Sequence, residues 1–333
     1  MKLKQLLILF ILTFFLIHTV AALSIPAPPS EFEVYTAEDL KAVDYQPSNI
    51  VSIVLMNDIT ITDEVWKPIG SSKPFTGEFK GNNHTITFTK DTEFIQAFGS
   101  ENMGCGLFGY VYNGQIRDLN VVFLGNLKSS ENNTGALVGI LNGNNSSIAP
   151  SPSIVNCSVV SSNGYSVSLQ SVSQFSLSGA NNIGGLVGHV INGSIENSSS
   201  ECSVTASGNN AGGLVGFISR GTILDSSASG SVKAAENAGG LIGYISNETT
   251  ISNSSADGSV KPAGAFGDFI GNWNENYKPT VMNCFYRGTE VDLAPVSEVE
   301  IYYKNYTFFI FLAAGIFLLI AVAVIFYLKK RNN

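Results

Sequence analysis

The sequence predicts an all-β protein: a parallel β-solenoid with a short N-terminal capping helix, followed by one C-terminal transmembrane helix. Three observations carry this. One Gly-bounded motif recurs six times at a near-constant interval, every copy is followed by the same short β-branched pattern, and an uncharged apolar run precedes the basic C-terminus.

The N-terminus opens Met1-Lys2-Leu3-Lys4, continues apolar from Leu6 to Leu23 and reaches small residues at Val20-Ala21-Ala22. A basic start, an apolar middle and small residues at the end make residues 1–23 a secretory signal peptide. Residues 24–104 are expected to hold the N-terminal cap and the first solenoid turns. Thr36 followed three residues later by Asp39 is a capping-box start for a short helix there, placed to cover the open edge of the first turn.

The repeats occupy residues 105–287. The motif stands as Gly106-Leu-Phe-Gly109, Ala136-Leu-Val-Gly139, Gly185-Leu-Val-Gly188, Gly213-Leu-Val-Gly216, Gly240-Leu-Ile-Gly243 and a degenerate Asp268-Phe-Ile-Gly271. Successive closing glycines are 30, 49, 28, 27 and 28 residues apart, so the long interval carries an insertion, assigned to Ser161–Ala180. After each motif comes a β-branched residue with Asn or Asp two places on: Ile116/Asp118, Ile154/Asn156, Ile195/Asn197, Ile223/Asp225, Ile251/Asn253 and Val281/Asn283. Short β-branched runs separated by Gly, Ser, Asn and Asp turns read as strands. A turn of this length cannot bury its own apolar face, but a stack at about 4.8 Å per turn can. Leu107, Leu137, Leu186, Leu214, Leu241 and Phe269 then form one core column. Two steps beyond the closing glycine, Val111, Leu141, Val190, Ile218, Ile245 and Trp273 form another. The glycine between them marks a bulge or a close backbone approach.

Residues 288–304 read as a polar stalk, 305–328 as the transmembrane helix and 329–333 as a cytosolic tail. Phe308–Leu328 carries no charge and as a helix is about 32 Å long, enough to span a bilayer core. Lys329-Lys330-Arg331 then sets a single-pass protein with its N-terminus outside. The expected location is the plasma membrane or cell surface, with the endoplasmic reticulum as the alternative address.

At this point the residues resemble proteins with the GLUG motif, found in surface proteins of bacteria, archaea and protists. The resemblance rests on the motif copies and on a leading segment with Tyr35-Thr-Ala-Glu-Asp-Leu40, Trp66-Lys-Pro-Ile-Gly70 and Phe75-Thr-Gly-Glu-Phe-Lys-Gly. It implies a right-handed β-helix and an adhesin-like role, and no shared catalytic residues.

The chemistry of the chain is read as that of a binder. Five of the 18 basic residues lie in the signal and tail, leaving 13 against 26 acids, which excludes a nucleic-acid footprint. The four cysteines, Cys105, Cys157, Cys202 and Cys284, show no zinc-like spacing, and no metal or cofactor is expected. Cys157 and Cys284 share a column too far apart to bond; a Cys157–Cys202 disulfide and free buried thiols both remain open. Catalytic residues are expected to be absent, because paired carboxyls 5–10 Å apart are needed for glycoside cleavage and the turn column offers acids only at Asp118 and Asp225. The runner-up readings are a β-helical polysaccharide lyase or glycoside hydrolase, and a structural surface-coat component. Strand parity puts Phe108, Val138, Val187, Val215, Ile242 and Ile270 outward. It does the same for Tyr110, Ile140, His189, Phe217, Tyr244 and Asn272. Tyr110, His189, Phe217 and Tyr244 are therefore the candidate stripe for a carbohydrate or protein ligand. The alternative is a bulge at the glycine that rotates one of the two intervening columns inward and leaves no patch. Of ten Asn-x-Ser/Thr sites, Asn132, Asn144, Asn192 and Asn247 fall in turns or insertions and are expected to carry glycan. Asn156, Asn197 and Asn253 belong to the stacked column and are expected to stay bare.

Overall fold

The computed structural model describes residues 30–45, 50–95, 104–144, 151–161, 181–262, 267–291 and 293. The signal peptide, the transmembrane run, the tail and most of the stalk lie outside the described residues. Among the described residues no helix is long and apolar enough to cross a membrane.

The chain coils into a stack of parallel rungs, a β-solenoid. Among the described residues one sheet holds 13 strands, a second holds nine, and three smaller sheets hold three, four and three. A single rung shows the logic. Ser194–Glu196 ends one long strand of the first sheet, and Ser199–Ser200 belongs to the second sheet. Val204–Thr205 and Ala211–Gly212 belong to two of the small sheets, and Val215 returns the chain to the first. Each residue then finds its equivalent in the next rung: Ile195 pairs with Ile223 and Ile223 with Ile251. The pairings are parallel throughout, except where Thr289–Glu290 folds back antiparallel on Phe285–Tyr286 and closes the second sheet. This last strand runs past Arg287, where the sequence places the start of the stalk.

At the other end, Ser30–Val34 is the edge strand of the first sheet, paired with Ile50–Leu55. Helix α1 (Ala37–Ala42) follows, started by Thr36 and Asp39 as a reciprocal capping box. Asp44, buried just beyond it, accepts from the Gly70 amide at 2.8 Å and the Ser72 hydroxyl at 2.6 Å, tying this segment to the first corner.

The core is a set of columns. Leu186, Leu214 and Leu241, then Val190, Ile218 and Ile245, then Ile195, Ile223 and Ile251, are all fully buried. Burial of each such side chain contributes roughly 1.5–3 kcal/mol. The interior narrows along the axis. In the early rungs the second sheet supplies Phe88 and Phe123, whose rings stack at 4.9 Å. In the later rungs it supplies Ser200, Ala228 and Ala256. The motif's first glycine faces these small residues: a Cβ on Gly213 would lie 2.9 Å from that of Ala228, and one on Gly240 would lie 3.0 Å from that of Ala256. The motif's last glycine serves a different contact. A Cβ on Gly216 would run into the backbone of Asn182 and Ile183, and one on Gly243 into that of Asn210 and Ala211. The close backbone approach expected of the closing glycine is thus observed, and the first glycine meets backbone as well: a Cβ on Gly185 would run into the Gly213 carbonyl and one on Gly213 into that of Gly240.

Strand parity fails at one place. Phe108, Val138, Val187, Val215, Ile242 and Ile270, expected outward, are buried. The cause in four of the copies, from Leu137 to Ile242, is a bulge. The Leu186 and Val187 amides both donate to the Leu214 carbonyl at 3.0 Å, and those of Leu214 and Val215 both donate to Leu241. Two consecutive donors on one acceptor kink the strand and turn two consecutive side chains inward. In the first copy the Leu107 and Phe108 amides donate to separate carbonyls, of Ala136 and Leu137, and Phe108 packs its ring against Phe79 at 5.1 Å.

The six-membered Asn/Asp column sits at a sharp corner. Asp118, Asn156, Asn197, Asp225, Asn253 and Asn283 all have φ between 48° and 55°, a left-handed conformation that Asn and Asp tolerate well. Asn156, Asn197 and Asn253 are exposed there, so burial gives no reason for them to stay bare.

Candidate functional site

The ring stripe survives the bulge in part. Tyr110, His189, Phe217 and Tyr244 are half-buried along the outside of the first sheet, whereas Ile140, between the first two, is only 4 % exposed. Three of the rings meet one another, while Tyr110 lies beside Tyr112 at 6.4 Å. His189 meets Phe217 edge-on at 4.6 Å, and Phe217 stacks on Tyr244 at 5.6 Å and 12°. Faces spent on neighbouring rings are not available to stack on a sugar. Burial pushes the His189 imidazole down to about 4, so it is neutral near pH 7, with Nε2 3.1 Å from the Ser219 hydroxyl.

Beside the stripe runs an amide ladder that the sequence reading missed. Asn182 donates to Asn133, Asn210 to Asn182 and Asn237 to Asn210, each at 2.7 Å, and Asn272 extends the row to Asn237 at 3.3 Å. The signal for it was an Asn two residues ahead of the Gly-Gly pair in three copies. A second ladder is inside. The Cys157, Ser198 and Ser226 amides donate to the hydroxyls of Ser198, Ser226 and Ser254 at 3.2 Å, and each of those three hydroxyls donates to a carbonyl at 2.8 Å. This row separates Cys157 from Cys284. All four cysteines are free and buried, and burial pushes the Cys105, Cys157 and Cys202 thiols up to about 12. The alternative of a Cys157–Cys202 disulfide is thereby removed.

A third surface is open where the ladders are closed. A groove of about 450 Å³ crosses the later rungs of the first sheet. Ser194, Thr222, Thr250 and Thr280 stand in register along it, one per rung, each just before the core Ile or Val. Arg220, within the strand Val215–Leu224, and Glu248 and Lys278, ahead of their strands, stand at one level in three successive rungs, because Gly221 pairs with Thr249 and Thr250 with Thr280. The Arg220 Nε is buried without a hydrogen-bond partner. In the early rungs the same face has its charges matched: Arg117 pairs with Glu78 and Asp118, both at 2.6 Å, and Lys80 with Glu31 at 2.8 Å. Hydrogen bonds from Asn156 and then Arg117 hold the Asp118 carboxyl below its ordinary range.

The expected acids do not come together. Asp118 and Asp225 are three rungs apart in one column, about 14 Å at the spacing of paired strands. Among the described residues no group of three or more His, Cys, Asp or Glu side chains is placed to hold a metal. Of the glycosylation candidates, Asn132 is exposed, with its Oδ1 accepting from the Asn181 amide at 2.7 Å. Asn144 and Asn247 are half-buried, and Asn192 donates its Nδ2 to the Asn144 carbonyl at 2.9 Å.

The family model for the GLUG motif matches residues 179–205, 207–233 and 234–261, three consecutive rungs of the coil. No curated protein matches the chain, and no solved structure does.

Proposed function

We propose that this GLUG-repeat protein is a non-enzymatic surface module that binds or displays, its solenoid carrying a carbohydrate or protein ligand on one flank. In this reading the signal peptide and single span place a right-handed coil outside the plasma membrane. The endoplasmic reticulum remains the other address. Glycans on Asn132, Asn144, Asn192 and Asn247 decorate its turns. The observation that carries the proposal is a contrast in hydrogen-bonding balance. The Asn and Ser ladders close on themselves, while the groove at Ser194–Thr280 holds a row of hydroxyls and the Arg220 Nε without an acceptor. Polar capacity left open on a rigid frame is suited to a ligand. Cleavage of a polysaccharide by paired carboxyls is disfavoured by the separation of Asp118 from Asp225 and by the ion pair that already occupies Asp118.

The test is adhesion of cells displaying the full chain to arrayed glycans and to cell surfaces, with the medium checked for shortened saccharides. Retention without fragments is expected. Fragment release would replace the binder with an enzyme, and no retention on any glycan or cell would leave only a coat component.

A further inference from the structure

We infer that the groove over Ser194, Thr222, Thr250 and Thr280 takes an acidic oligosaccharide laid along the solenoid axis, with carboxylates at Arg220 and Lys278. The inference rests on the binding role proposed above and names its ligand class.

Charge sets the ends of the site. Arg220 and Lys278 stand two rungs apart, about 9.5 Å at strand spacing. The Arg220 Nε is enclosed and has no acceptor, an arrangement that is costly for an N–H, so a turn of the half-buried side chain towards the groove that meets an acceptor there is favoured. A carboxylate is the acceptor that a guanidinium matches best, through two parallel hydrogen bonds. Glu248 lies in the rung between the two cations. It repels an anion at that level and accepts from hydroxyls instead. The groove therefore reads plus, minus, plus along its length, which suits a chain alternating acidic and neutral hydroxylated units better than a uniformly charged one.

The floor of the groove fits a saccharide rather than a peptide. Ser194, Thr222, Thr250 and Thr280 repeat one hydroxyl per rung, and a hydroxyl both donates and accepts, as sugar hydroxyls do. A peptide binding by strand addition needs a free sheet edge, whereas the strands Val187–Glu196 and Val215–Leu224 are paired on both sides. Gly193 and Gly221 also line the groove and keep its floor low enough for a ring to lie near the backbone.

The experiment measures binding of an oligosaccharide that alternates glucuronate with neutral N-acetylglucosamine to the full chain in detergent or nanodiscs at low and moderate salt. Its methyl ester, the uniformly acidic oligogalacturonate, a neutral maltooligosaccharide and poly-glutamate serve as comparisons. The acid is expected to bind, more weakly as salt rises, and the ester at least tenfold more weakly still. Arg220→Gln and Lys278→Gln should each lower affinity for the acid roughly tenfold. Glu248→Gln should raise it and flatten the preference for alternating charge. Lys278 is exposed, so its variant should keep the wild-type melting temperature and report on binding alone. Equal binding of acid and ester, no effect of Lys278→Gln, or equal capture of poly-glutamate would overturn the inference. Retention of neutral glycans or cells without the acid would overturn this ligand class and leave the binding role standing. Failure to retain anything would remove both.

Discussion

His189 is the residue at which the outer stripe responds to pH. Its imidazole is held down to about 4 by burial, against about 6.5 in an unfolded chain. The unfolded state therefore binds the extra proton between these values, and the fold loses stability as pH falls from about 6.5 towards 4. Because the ring is only half-buried, the loss is of the order of 1–2 kcal/mol. His189→Phe keeps the ring contact with Phe217 and should remove that part of the acid sensitivity. The check is the denaturant midpoint of both proteins at pH 7 and pH 4.5; an unchanged difference between the two pH values would contradict the assignment. The cysteines make an independent prediction at the same scale. Thiolates, not thiols, react, and burial keeps Cys105, Cys157 and Cys202 protonated with values of about 12. Native protein should leave a thiol reagent unconsumed at pH 8 over minutes, and unfolded protein should react at all four positions.

At the scale of the element, both glycines of the four-residue motif sit where backbone approaches too closely for a Cβ. Gly216→Ala forces a Cβ into the backbone of Asn182 and Ile183 and should cost about 2–3 kcal/mol. Gly288→Ala meets no atom within 4 Å and bears only the left-handed backbone at φ 78°, a cost of about 1–2 kcal/mol. Thermal unfolding of the two variants should therefore order them clearly. Asn210 tests the amide ladder. At φ 64° it donates to Asn182 and accepts from Asn237, both at 2.7 Å. Asn210→Gly keeps the conformation and loses the ladder, whereas Asn210→Ala loses both and should be the less stable by about 1 kcal/mol. Equal stabilities would mean that the turn conformation contributes little there. The apolar columns of these elements were legible because Leu, Val and Ile recur at one interval. A bulge at the motif glycine is legible as the alternative to strict parity, but which column it turns inward is not, since residue type does not reveal where two amides share one carbonyl.

Over the whole molecule, repetition converts small local preferences into continuous rows. The register expected from the six motif copies is the register observed: Leu137, Leu186, Leu214 and Leu241 are all buried, and Ile116, Ile154, Ile195, Ile223 and Ile251 follow one another through successive pairings. What the sequence concealed lies on the outside. The Ser194–Thr280 row and the open Arg220 depend on which flank each turn presents, and a Ser or Thr ahead of an Ile carries no mark of its neighbours one rung away. The ring stripe is the opposite case: Tyr110, His189, Phe217 and Tyr244 are legible as rings in register, whereas the contacts of His189 and Tyr244 with Phe217 are not. All of this depends on rung-to-rung neighbourhood. Thr205, Lys233 and Lys261 occupy one column in three successive rungs. Adjacent Cα atoms are therefore about 4.8 Å apart and alternate ones nearly 10 Å, on either side of the roughly 7 Å beyond which a disulfide cannot close. The decisive measurement is the oxidation of paired cysteine variants of the full chain. Lys233→Cys with Lys261→Cys should form a disulfide within the chain, and Thr205→Cys with Lys261→Cys should not. Closure of the second pair without the first would contradict the coil.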